Sequence, residues 1–219
     1  MSEFYRRKLD FSGHRWLVKG TDTREGPGPN YFSDDEESVW VDEGGRLHLK
    51  IGERDGQWRC AEVVSEETLG YGQYVFELGD GADAINENVV LGLFTWDTAP
   101  EHHNREIDIE IARWGEAGNE NCQFVVQPYE HPGKLHRFGV DLEGAGSTHS
   151  FEWRSGRVAF RSARGDGEGA LIDSWTYTGA DTPPPGRAQA RINLWLFRGA
   201  PPSDGREVEV VVARFGFTP

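Results

Sequence analysis

Short runs in which apolar and polar residues alternate recur along this chain, with turn residues between them. "SVWV" (38–41) and "RLHLKI" (46–51) flank the turn "DEGG", and "WRCAEVVS" (58–65) leads through "EETLGYG" to "QYVFEL" (73–78). "NVVLGLFTW" (88–96), "EIDIEIARW" from residue 106, "CQFVVQPY" (122–129) and "HRFGVDL" (136–142) follow. "THSFEWRSGRVAFRSA" (148–163) reads as a hairpin turning at Ser155 and Gly156, and "RINLWLF" (191–197) and "EVEVVVARFGF" (207–217) close the series. A period of two puts successive side chains on opposite faces of a strand. No segment of a dozen residues carries the i, i+3, i+4, i+7 apolar spacing of an amphipathic helix. The pattern predicts an all-β antiparallel protein, a sandwich or jelly roll. Its 219 residues fit one domain spanning 1–219.

Composition narrows the partners. The formal charge of −14 repels phosphate backbones and anionic lipid, so neither nucleic acid nor a membrane surface is expected as a partner. Aromatic residues make up 12%, including eight Trp, which suits an aromatic core or an aromatic-lined groove. Cys60 and Cys122 stand alone, outside any CxxC spacing, which leaves one disulfide or two buried thiols and no metal or redox motif. The stretch "MSEFYRRKLDFSGHRW" has basic residues but no apolar run after them, so no signal peptide is expected and the chain reads as cytoplasmic. "ARGDGEGA" (163–170) reads as a glycine-rich hairpin tip, and "GPGPNYFS" (26–33) as a loop whose Asn30 and Tyr31 can face a ligand.

One strand is electrostatically odd. In "EIDIEI", Glu106, Asp108 and Glu110 share one face and Ile107, Ile109 and Ile111 the other. A solvated strand face is the ordinary fate of alternating charge, but Asp and Glu form strands poorly, and like charges on one strand face repel. A calcium site is a second reading, although calcium loops curl around their ion while these Cα atoms spread over ~13 Å at ~3.3 Å per residue. Chemistry gives a stronger reason. Retaining glycoside hydrolysis needs two carboxyl groups roughly 5 Å apart, and Glu side chains at i and i+4 on a twisted concave strand can lean together to reach that gap. Crowded carboxylates also raise one pKa, which keeps an acid protonated near neutrality.

With the motifs around it, "EIDIE" resembles the active-site signature of glycoside hydrolase family 16, the laminarinase, lichenase and xyloglucan-transferase group. "GPGPNYFS" resembles the family's N-terminal substrate loop, "CAEVVSEETLGYGQYVFEL" its Glu segment and Gly-Tyr-Gly turn, and "LGLFTW" the aromatic strand before the catalytic one. "STHSFEWRSGRVAFR" is similar to the family's Trp hairpin and "INLWLF" to its late Asn-Leu-Trp strand. The resemblance implies a concanavalin-like jelly roll with a sugar cleft on its concave face. It makes Glu106 the nucleophile, Asp108 its hydrogen-bonding helper and Glu110 the general acid/base. The chain departs from the lichenase pattern at Asn104 and Arg105, at Val64, and at Val125, Val126 and Gln127. Cys60 occupies the place of half a lichenase disulfide whose partner position reads Ser33.

The substrate-binding candidates are Asn30, Glu62, Phe94, Trp96, Arg105, Gln123, Asn193 and Trp195. Trp96 and Trp195 can stack on pyranose faces, and Asn30 and Asn193 can bond hydroxyls. Arg105, with His102 and His103, is a candidate contact to an anionic sugar. The expected function is a retaining, endo-acting β-glycan hydrolase working by double displacement on a polysaccharide or oligosaccharide. The alternatives are a transglycosylase on the same fold and a non-catalytic, lectin-like sandwich. The chemistry calls for no cofactor, and the expected species is a monomer. The resemblance points to an extracellular or periplasmic setting if a leader has been removed.

Overall fold

The computed structural model describes residues 4–219; Met1, Ser2 and Glu3, which open the stretch read for a leader, lie outside it. The described chain forms sixteen strands: β1 (Tyr5–Phe11), β2 (His14–Lys19), β3 (Tyr31–Phe32), β4 (Val39–Val41), β5 (Leu47–Arg54), β6 (Gln57–Ser65), β7 (Gly72–Leu78) and β8 (Val89–Trp96), then β9 (Ile107–Ala112), β10 (Cys122–Val126), β11 (Leu135–Phe138), β12 (Ser147–Arg154), β13 (Arg157–Arg164), β14 (Leu171–Thr178), β15 (Gln189–Leu196) and β16 (Val208–Thr218). The only helices among the described residues are three short 3-10 turns.

One sheet has the order β1-β2-β6-β15-β8-β9-β10-β11, and all its pairs are antiparallel. The other has the order β4-β5-β16-β7-β12-β13-β14. The β5–β6 hairpin joins them, and β3 adds a short parallel bridge to β6. The protein is a β-sandwich of jelly-roll type, as the alternation predicts. The Ser155–Gly156 hairpin stands between β12 and β13.

Every strand that crosses the sandwich turns one face inward. Ile107, Ile109 and Ile111 are fully buried, together with Leu91, Leu93, Phe124, Ile192 and Leu194 from the neighbouring strands. Tyr74, Phe151, Trp153 and Phe215 fill the opposite side of the core, and Trp16 of the first sheet packs edge-on against Phe215. Trp153 satisfies its indole N–H on the Pro183 carbonyl at 3.0 Å. Burial of this kind stabilises by roughly 25 cal/mol per Å² of apolar surface, and it sets which face of β9 points out.

Four strands stand where none was read: β1 and β2 begin in the segment scanned for a leader, β3 lies in the stretch read as a loop, and β14 is an edge strand whose residues are exposed or only partly buried. Cys60 and Cys122 are both buried free thiols. Ser33 does lie beside Cys60, donating its backbone N–H to the Cys60 carbonyl at 3.0 Å.

Candidate active site

The register of the first sheet lines up its outward residues in rows across the strands. Glu62, Asn193, Gly92, Glu110, Gln123 and Arg137 are successive partners from β6 through β15, β8, β9 and β10 to β11. The next row runs Val64, Arg191, Phe94, Asp108, Val125 and Leu135. Directly paired residues of antiparallel strands share a face. Both rows therefore form the floor of one cleft, with Glu106 one step further along the strand direction. Glu106 precedes β9 in extended conformation (φ −88°, ψ 121°), which continues the alternation past the strand's hydrogen-bonded start. A cavity of about 290 Å³ opens on this floor, with Glu106, Asp108 and Glu110 among its lining and Phe94, Trp96 and Trp195 as aromatic walls.

The three carboxyl groups are crowded against one another, Asp108 buried and Glu106 and Glu110 half-buried. Burial is the largest cause of each shift: it pushes Glu106 up to about 8, Glu110 up to about 7, and Asp108 well above the usual carboxylate range. The negative charge of Glu110 raises Glu106 further, while Arg191 pulls it down. Asp108 donates to Glu106 and accepts from Gln127 Nε2 at 3.1 Å, so it stays protonated and favours the anion on Glu106. Glu110 accepts from Gln123 Nε2 at 2.7 Å, and Arg137 holds that amide in place through two bonds to its Oε1, at 2.6 and 3.0 Å. Close to pH 7 the trio therefore retains most of its protons.

Most residues read from the sequence meet at this cleft. Glu62, Phe94, Trp96, Asn193 and Trp195 line the cavity with the trio, and Gln123 touches Glu110. Asn193 Oδ1 is buried without a hydrogen-bond partner, and Gly92 makes room for it: a Cβ there would lie 2.5 Å from that oxygen. Glu62 does not offer a free carboxylate. It is 1% exposed and saturated by Lys19 at 3.1 Å and Arg191 at 3.0 Å.

Two candidates lie elsewhere. Asn30 is buried, and its Nδ2 donates to the Pro27 and Leu196 carbonyls, both at 2.9 Å, so it fixes the 26–30 loop rather than facing the cavity. Arg105 turns away from the cleft. Its Nε lies 2.6 Å from Asp97 Oδ2, and it packs so closely on Gly186 that a Cβ there would meet the guanidinium. The reason is backbone conformation: His103, Asn104 and Arg105 all have positive φ (48°, 58° and 51°), which breaks the alternation just before Glu106.

Sequence reading missed Lys19, Arg191, Arg137 and Trp114. Arg191 was findable, since period two from Asn193 and Trp195 places it on their face. Lys19 ends β2, a strand that was not read from the sequence. Trp114 sits after β9 at φ 55°, where no periodicity applies.

Three solved structures show the breadth of the likeness. The chain is similar to a Bacillus licheniformis β-glucanase, with a TM-score of 0.69 and 20% identity over 93% of this chain and 92% of that one. A prokaryotic β-1,3-1,4-glucanase (lichenase) from a mouse hindgut metagenome gives 0.64 and 19%, over 93% and 92%. A Bacteroides ovatus mixed-linkage-glucan protein of glycoside hydrolase family 16, in complex with its G4G4G3G product, gives 0.68 and 10%, over 93% and 94%. No protein-family model matches the chain, and no curated protein matches it by sequence. The chain thus shares its jelly-roll fold with these β-glucanases at low sequence identity.

Proposed function

We propose that the protein is a retaining β-glycan hydrolase of the family 16 type, cutting within its chain substrate. The observation that carries this reading is the trio itself: three carboxyls side by side on one cavity floor, Asp108 buried and Glu106 and Glu110 half-buried. Double displacement requires one carboxylate and one carboxylic acid flanking the same bond. In this mechanism Glu106 supplies the carboxylate; the Asp108 proton and Arg191 favour its anion, against the burial and the Glu110 charge that push it up. It attacks the anomeric carbon while Glu110 protonates the departing oxygen. Glu110, now anionic, then takes a proton from water, whose oxygen displaces Glu106 and releases the sugar. Asn193 Oδ1 supplies an acceptor for a sugar hydroxyl, and Trp96 and Trp195 supply stacking faces. A second cavity continues the cleft beyond Glu110, which gives the substrate room on both sides of the cut and supports internal cleavage. A lectin needs no such cluster, because buried like charges disfavour folding and add nothing to binding a neutral sugar.

Glu106→Gln and Glu110→Gln are each expected to lose at least about a thousandfold in kcat on whichever β-glycan the wild type cuts, with folding intact. Product anomers followed by NMR should retain the β configuration. Wild-type turnover with inversion, or full activity in both variants, would overturn the assignment.

A further inference from the structure

The cleft is not electrostatically even along its length. On the Glu106 side its two cations, Lys19 and Arg191, are both committed to Glu62. On the far side of Glu110 a cavity of about 340 Å³ is walled by Trp114, Tyr129, Trp195 and Phe197, with Arg137 at its edge. Among the residues lining the two cavities, Arg137 is the cation with no carboxylate within ion-pair distance: its Nε and Nη2 hold Gln123, and Nη1 has no protein partner. In a protein of net charge −14, where surface cations such as Lys8, Arg46 and Lys50 each pair with a carboxylate, an exposed guanidinium without an ion pair inside a cleft is a feature to account for.

A second observation lies on the same wall. Trp114 Nε1 is buried with no acceptor, while its ring is fixed edge-on to Trp195 (6.2 Å) and Phe197 (5.4 Å). The acceptors that could have met these donors are already used. Gln123 Oε1 accepts from Arg137, and Gln127 Oε1 from the Tyr129 N–H. This wing is therefore rich in donors, carries a guanidinium that has Glu110 nearby but no ion-pair contact, and offers aromatic faces for a pyranose. A buried donor without an acceptor costs free energy, which a ligand oxygen recovers.

We propose that this wing is a subsite for a sugar carrying an oxyanion, either a uronate carboxylate or a sulfate ester, received by Arg137 with Trp114 Nε1 as a second donor. The assignment of the wing to the leaving-group side rests on the proposed role of Glu110. A planar guanidinium binds either oxyanion through charge-assisted bonds of roughly twice the usual strength. The proposed role of Glu110 as the acid requires it protonated during turnover, the state in which it opposes such a guest least.

The test compares mixed-linkage β-glucan with the same polymer oxidised at C6 to the uronate and with its C6-sulfated form. The wild type should cut at least one derivative about tenfold better than the parent in kcat/KM, the advantage shrinking as salt is raised. Which derivative gains distinguishes carboxylate from sulfate. Arg137→Met should bring the ratio of derivative to parent to within about twofold of one, whatever happens to the absolute rates through Gln123. Trp114→Phe, which keeps a ring and removes the N–H, should lower the same ratio. Parent cut as well as both derivatives, or a ratio unmoved in Arg137→Met, overturns the proposal. Should the wild type cut none of the three, the hydrolase reading is what fails. Calorimetry with acidic and neutral oligosaccharides then decides this inference: tighter binding of the acidic ligand that is lost in Arg137→Met upholds it, and equal or absent binding sinks it.

Discussion

Glu110 and Glu106 are held where their charged forms are disfavoured, and this couples chemistry to stability. Their folded pKa values, about 7 and about 8, lie above those of an unfolded carboxylate near 4.5. Between those limits the native state binds more protons than the unfolded one, so stability falls as pH rises from about 4.5 to 8. Glu106→Gln or Glu110→Gln should each remove its own share of that dependence. Each variant is expected to be more stable than the wild type at pH 8, by roughly 2 kcal/mol, with the gap closing near pH 4. Urea unfolding at the two pH values measures it, and a gap independent of pH would count against the buried-carboxyl account. Gly92 makes a residue-scale prediction of another kind. An added methyl meets Asn193 Oδ1 at 2.5 Å, so Gly92→Ala should push Asn193 off the cleft floor. Activity is expected to fall by about tenfold or more while stability drops by only ~1–3 kcal/mol. Kinetics and thermal unfolding of one preparation check both halves.

At the scale of elements, β9 works because its two faces do different tasks. Three isoleucines lock it between β8 and β10, and the acids inherit fixed positions from that packing. Its entry is equally constrained. Asp97, at the end of β8, accepts from the Ala99 and Arg187 backbone N–H groups and pairs with Arg105. Thr95 Oγ1 donates to the Arg105 carbonyl at 2.8 Å. Together these hold the three left-handed residues that deliver the chain to Glu106, a conformation costly outside such a frame. Asp97→Asn leaves Arg105 with an uncompensated, largely buried charge and should cost about 3 kcal/mol. It is also expected to lower kcat more than it raises KM, because Glu106 shifts while the stacking walls stay in place. An unchanged kcat in a destabilised Asp97→Asn protein would show the entry segment to be scaffold alone. β14 shows the limit of periodicity. A partly exposed edge strand lacks the strong apolar face that makes a period audible, and its neighbour on the sequence side is a glycine-rich tip.

Across the whole molecule, opposing titrations set where the sandwich is most stable. His149 is fully buried between Ser147 and Ser162 and held neutral, with a pKa lowered to about 4 by burial. The unfolded chain takes up that proton first, so stability is lost as pH falls from about 6.5 to 4. Asp181, held near 2 by its bonds to Lys134 and Tyr177, adds a loss in more acidic solution, as pH falls through and below 4. The active-site trio acts in the other direction, losing stability as pH rises. The melting temperature should therefore peak on the acid side of neutrality, around pH 5, and the peak should move upward in a Glu106→Gln/Glu110→Gln double variant. Calorimetry across pH 4–9 tests it; a wild-type maximum at or above pH 8 would contradict the buried trio.

What the sequence determined by itself was local. Period two marked most strands, and the alternation of Glu106, Asp108 and Glu110 with three isoleucines marked the strand that carries the site, because side-chain direction in a strand follows from position alone. Cross-strand register was not local. That Gln123 and Arg137 fall in the row of Glu110, and that Arg191 and Lys19 close on Glu62, depends on how distant strands slide against each other. The roles of Asn30 and Arg105 were decided in the same way. Both stood in the right stretch of chain, but a buried amide finds the nearest carbonyls and an arginine on a left-handed turn finds the nearest carboxylate, and only the folded chain says which those are.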